Sequence, residues 1–151
     1  PALLLISCGK DDDFTIENKA VTGYLTFIRT AFIPLSFDST GLVQLSAQIS
    51  MEGDGTLSDI GDVHFETTFN IDLVLGMGTD FVTTYTGSSP GDSFSSTGTS
   101  QVQPNGSFLV QDNLGSGTGK FSKISGEGTT TVWLNQAQDA GTVTMDWNVT
   151  F

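Results

Sequence analysis

Three stretches of this chain alternate apolar and polar side chains without a break, and that period of two restricts the fold more than any other feature of the sequence. From Val43 to Met51 the odd positions are Val43, Leu45, Ala47, Ile49 and Met51, and the even ones are Gln44, Ser46, Gln48 and Ser50. Val63, Phe65, Thr67, Phe69 and Ile71 alternate in the same way with His64, Glu66, Thr68 and Asn70. At the C-terminus Val143, Met145, Trp147, Val149 and Phe151 alternate with Thr144, Asp146, Asn148 and Thr150. Successive side chains of an extended strand point to opposite faces, so each stretch predicts a strand with one face in a core and the other in water.

Further strands are expected at Phe81 to Thr86, Ser93 to Val102, Gly106 to Asp112 and Gly128 to Leu134, with turn-prone SSPGD at 88–92 and QPNG at 103–106 between them. Val21, Tyr24, Leu25, Ile28 and Phe32 fall at helical spacing. Thr, Ile, Phe and Tyr dominate that region, however, and Pro34 interrupts it, so a strand is expected there as well. An open sheet of about eight such strands would expose two edges to intermolecular pairing, and closure abolishes them. The expected fold class is therefore all-β, a single antiparallel β-barrel of about eight strands, with a β-sandwich as the alternative because period two suits both.

Charge narrows the partners. Seventeen acidic residues against five basic ones give a formal net charge of -12, which repels polyanions, so nucleic acid is not expected as a partner. A length of 151 residues suits one domain with its own core.

The N-terminal residues carry an address. ALLLI at 2–6, too short to span a bilayer, runs into Ser7 and Cys8. LISC at 5–8 resembles the bacterial lipobox, in which a small residue precedes a cysteine that becomes lipidated. GKDDD at 9–13 resembles the Lys-plus-acidic tag of surface lipoproteins of the Bacteroidota. The resemblance implies lipidation of Cys8, with a membrane as partner through that lipid, and a location at the outer membrane or cell surface. It divides the chain into a signal-peptide remnant at 1–7, a lipidated cysteine with acidic tether at 8–19, and a barrel domain at 20–151. The alternative for Cys8 is a buried free thiol. Asp11, Asp12 and Asp13 read as a solvated spacer, since neighbouring side chains do not converge on one calcium ion.

GSGTGKFSKISGEGTTTVWL at 115–134 resembles a glycine-rich motif of secreted bacterial proteins with an allene oxide cyclase-like, calycin-like barrel. GDGTLSDIGDVHFETTFNID at 53–72 is similar to an earlier hairpin of the same proteins. The resemblance implies a barrel of about eight strands; related barrels often associate through outer faces, so a homo-oligomer is one arrangement it allows, with the oligomeric state left open. It carries no catalytic residue over to this chain. Gly115, Gly117, Gly119, Gly126 and Gly128 suit a place where strands bend sharply or backbone crosses close to backbone, as at a barrel corner, with Phe121 and Ile124 plugging one end.

Chemistry is harder to find. In the three clearest strands the apolar parity holds no ionisable residue, whereas His64, Glu66, Asp72 and Asp146 fall on the opposite one, so the ionisable groups are expected outside the wall. His64 is the single histidine, which argues against a histidine-based metal cluster or triad. Asp54, Asp59 and Asp62 read as acidic surface, although a shared calcium ion is conceivable. No catalytic residue, metal ligand or cofactor is assigned.

The aromatic set either fills the barrel or lines a cavity for a small apolar ligand; Phe65, Phe69, Phe81, Tyr85, Phe121, Met145 and Trp147 are the candidate lining residues. Trp133, between Val132 and Leu134, points opposite to them and is a candidate contact surface. The expected function is that of a lipid-anchored, exported, non-enzymatic binding or interaction module for a protein partner. The alternative is a carrier of a small apolar ligand. A cyclase- or isomerase-like enzyme rests on fold analogy and requires a buried acid, base or amide beside a cavity.

Overall fold

Eight strands run in sequence order around a closed barrel: β1 (Asn18–Phe37), β2 (Gln44–Leu57), β3 (Gly61–Asp72), β4 (Met77–Gly87), β5 (Ser93–Val102), β6 (Phe108–Gly115), β7 (Ser125–Leu134) and β8 (Ala140–Thr150). The structure, a computed structural model, describes residues 18–151; Cys8 and the acidic tag lie outside the described residues. Each strand pairs antiparallel with the next, and β8 returns to β1 through partners from Asn18↔Thr150 to Ile28↔Ala140. Asn18 and Lys19 are thus already part of the wall, two residues earlier than the tether boundary expected from sequence.

Alternation does what period two demands. Val63, Phe65, Thr67, Phe69 and Ile71 of β3 and Val143, Met145, Trp147 and Val149 of β8 are all buried, and the residues between them face out. The N-terminal region is strand throughout, with Val21, Leu25 and Phe27 inside. Strand β4 begins at Met77 instead of Phe81, because a bulge between Gly78 and Phe81 breaks the alternation that would reveal its start. Strand β6 runs on to Gly115, three residues past its expected end, which places Asp112 within the strand and not at its border.

The two ends of the barrel differ. At one end the β6–β7 connection folds into a 3-10 turn, Gly119–Phe121, whose Phe121 and Ile124 are buried and close the floor. Thr118 donates its hydroxyl to the Gly91 carbonyl (2.6 Å), and the Lys120 amide donates to the Asp92 carboxylate (3.0 Å), latching this turn to the β4–β5 connection. A Cβ on Gly117 would lie 1.7 Å from the Phe121 carbonyl oxygen, so this corner needs the glycine that the sequence supplies. Gly126 and Gly128 lie inside β7 and not in the corner. At the other end β1 outruns β8: beyond Ile28 its residues pair only with β2, forming an arm on which Ile33, Leu35 and Phe37 are about half exposed.

Candidate functional site

The open end holds a cavity of about 250 Å³. Its walls come from every strand except β8, because the mouth gathers inward-facing residues near one end of the barrel: Ile49 and Met51, Phe69 and Ile71, Phe81, Val102, Phe108, Val132 and Leu134. The rings of Phe69 and Phe81 stack in parallel with centroids 4.1 Å apart, forming a flat apolar wall. The polar contribution at the rim comes from Arg29 and Gln138. The Arg29 guanidinium lies 5.3 Å from the centroid of the Phe32 ring and forms no ion pair among the described residues.

Beneath the mouth lies a second void of about 30 Å³, separated from it by Met51, Phe81 and Val132, which line both. The void reaches Asp112, which is 6% exposed, and this corrects the expectation that ionisable groups stay outside the wall. Its carboxyl is fully engaged. Thr130 donates to Oδ2 at 2.5 Å, the Trp147 indole N–H donates to the same oxygen at 3.2 Å, and Ser96 donates to Oδ1 at 3.2 Å. Burial raises the Asp112 pKa above the ordinary carboxylate value, and the three donors only partly oppose that effect.

Why the acid fits there follows from register. Asp112 is opposite Gly98 on β5 and Gly128 on β7, and Gly128 is in turn opposite Trp147 on β8. A Cβ on Gly128 would lie 2.6 Å from Trp147 Cδ1, so the bare backbone there lets the indole lean across β7 to the carboxyl. The polar belt continues around the barrel, where Thr83 donates to Thr67 at 2.8 Å. Burial, and behind it the Asp112 charge, pushes the Tyr85 pKa upward, so the phenol stays neutral.

The expected lining residues separate into three groups. Phe69 and Phe81 line the mouth, and Phe65, Phe81, Tyr85 and Met145 line the inner void. Phe121 and Trp147 line neither, contrary to expectation: Phe121 packs edge-on against Phe94 at the closed end (5.2 Å), and Trp147 is fully buried with its indole committed to Asp112. Between mouth and floor the barrel is filled by Tyr85, Phe94, Phe121 and Trp147, with Tyr85 stacked on Phe94 at 4.8 Å. Cavity and filled core therefore coexist in one barrel. Trp133 lies on the outer face, 41% exposed, opposite Thr142.

Sequence reasoning missed Asp112 although a signal was present. Phe108, Val110, Asp112 and Leu114 share one parity, but with the expected strand ending at 112 the acid stands at its border, where an inward side chain is not expected. It also missed the meeting of Glu52, His64 and Glu66 on the outer face of β2 and β3. Among the described residues no helix is long and apolar enough to cross a membrane. No family model, curated protein or solved structure matches this chain.

Proposed function

We propose that the protein is an exported, lipid-anchored binding module whose open end takes a small apolar molecule carrying an anionic or hydrogen-bonding head. The mouth cavity supports this function above all. Its walls are nearly all hydrocarbon and aromatic, and a single guanidinium stands at the rim of a chain that carries seventeen acids. An apolar tail would displace water from the Phe69–Phe81 wall while its head stayed near Arg29. At about 250 Å³ the cavity lies just below the range of about 300–1,000 Å³ common for small-molecule sites, so the ligand is smaller than a typical drug molecule.

Binding is preferred to catalysis because Met51, Phe81 and Val132 stand between the mouth and Asp112, and all of the acid's oxygens already accept hydrogen bonds. Titration with the fluorescent probe 1-N-phenylnaphthylamine tests the proposal. The wild type should saturate at one probe per chain, and Ile49→Trp, which fills the mouth, should abolish binding without lowering the melting temperature. Decanoate should displace the probe better than decanol, and Arg29→Met should remove that preference. Equal probe binding by the wild type and Ile49→Trp would refute a site in the mouth. The anchor is tested separately by metabolic labelling with a radioactive fatty acid: the wild type should be labelled and Cys8→Ala should not.

A further inference from the structure

The middle of the β2–β3 hairpin carries a second constellation on the outer face of the wall, away from the mouth. Glu52 is the direct cross-strand partner of Glu66, and Asp54 is the partner of His64. Gly53 and Phe65, the pair between them, are buried, so the side chains of 52, 54, 64 and 66 share the outer face. One donor atom from each of Glu52, His64 and Glu66 lies within 4.8 Å of the other two. Ligands about 2.1 Å from one tetrahedral zinc ion lie about 3.4 Å apart, so rotamer changes that draw the donors together by up to about 1.4 Å bring all three onto a single ion.

The imidazole distinguishes this group from an ordinary acidic patch. His64 Nδ1 is 2.9 Å from Asp54 Oδ1; a carboxylate oxygen only accepts, so Nδ1 carries the hydrogen, and in the neutral ring Nε2 is the nitrogen with a lone pair for a metal. A carboxylate behind the imidazole is the usual support of a metal-binding histidine, because it sets both tautomer and ring orientation. Glu52 and Glu66 add a second observation. Like charges directly opposite on adjacent strands are destabilising, in a chain already at -12, and a cation between them reverses that repulsion. One nitrogen and two carboxylate donors suit a borderline transition ion better than calcium or magnesium, which prefer all-oxygen sets.

We propose that Glu52, His64 and Glu66 bind a divalent transition-metal ion, with zinc the first candidate, and that Asp54 is the positioning residue for His64. Three protein ligands leave a fourth position facing solvent, where water or a donor from another molecule completes a tetrahedron. The site stands independently of the mouth cavity.

Calorimetric titration of the full chain with zinc should show a saturable one-to-one event that a hundredfold excess of magnesium does not remove. Cobalt in place of zinc should give visible ligand-field absorption of the tetrahedral kind. Because the chain has one histidine, its ring nitrogens give an unambiguous pair of ¹⁵N signals, and zinc should move Nε2 while Nδ1 stays protonated. His64→Ala and Glu66→Gln should abolish the event, and Asp54→Asn should weaken it by about 10–100-fold. All four side chains lie on the outer face, so melting without metal should be little changed by these variants. No saturable zinc binding, or binding undiminished in His64→Ala, would overturn the proposal and leave an acidic surface only.

Discussion

Replacing Asp112 separates the effect of its charge from the effect of its hydrogen bonds. In Asp112→Asn the amide oxygen takes the place of Oδ2 and keeps the Thr130 and Trp147 bonds, while the amide N–H meets the Ser96 hydroxyl, which rotates to accept. In Asp112→Ala these donors lose their acceptor. Each buried donor left unsatisfied costs about 1–3 kcal/mol. Trp147 retains Thr130 Oγ1 at 3.3 Å, so the expected loss is about 2–5 kcal/mol and not the full sum.

The charge effect appears in pH dependence. Because the folded-state pKa is raised, the native chain holds this proton above the unfolded value of 3.8 while the unfolded chain releases it. Stability contributed by Asp112 is thus fully present below that value, falls as pH rises toward the folded pKa, and is level above it. Urea denaturation of the wild type and Asp112→Asn from pH 4 to 8 should give a difference, wild type minus variant, that declines with pH. A flat difference curve, or an Asp112→Ala variant within 0.5 kcal/mol of wild type, would refute the assignment of a buried, proton-holding acid.

Other substitutions probe the rest of the barrel. Phe94 is in ring contact with Tyr85, Phe121 and Trp147, so Phe94→Ala should cost about 3–5 kcal/mol in urea denaturation; a loss below 1 kcal/mol would mean that the closed end is not the packed floor described. A Cβ on Gly128 would lie 2.4 Å from the Asp146 carbonyl oxygen, so Gly128→Ala should cost about 1–3 kcal/mol or more, whereas Gly115→Ala, with nothing within 4 Å, should stay within about 0.5 kcal/mol. Equal effects of the two glycine substitutions would contradict the strand spacing around Asp112. Shortening the residue between mouth and void should merge them, so Met51→Ala should bind a larger naphthyl probe than the wild type does, and an unchanged size limit would show that the wall is set by Phe81 and Val132 instead.

How much was legible beforehand depended on whether information was local. Strands β2, β3 and β8 were readable because side-chain parity is a property of consecutive residues, and the outward placement of His64, Glu66 and Asp146 followed from the same rule. Parity failed where the backbone departs from it, at the bulge that hides the start of β4. At Asp112 parity held, but the expected strand stopped there, so the parity was not carried on to Leu114. The floor residues Phe121 and Ile124 were recognisable from the glycines around them.

By itself, then, the sequence determined which side of each strand is apolar, and with it an all-β chain for which a barrel was expected and a sandwich stayed open. Only the tertiary structure decided that β8 pairs with β1, that one end is plugged while the other stays open, and that Gly128 opens a path from Trp147 to Asp112. It also decided that Glu52 stands opposite Glu66, and so which acids accompany the lone histidine. The physical reason is register. Period two fixes a face but says nothing about which residue lies across the gap, and a site is made of what lies across the gap.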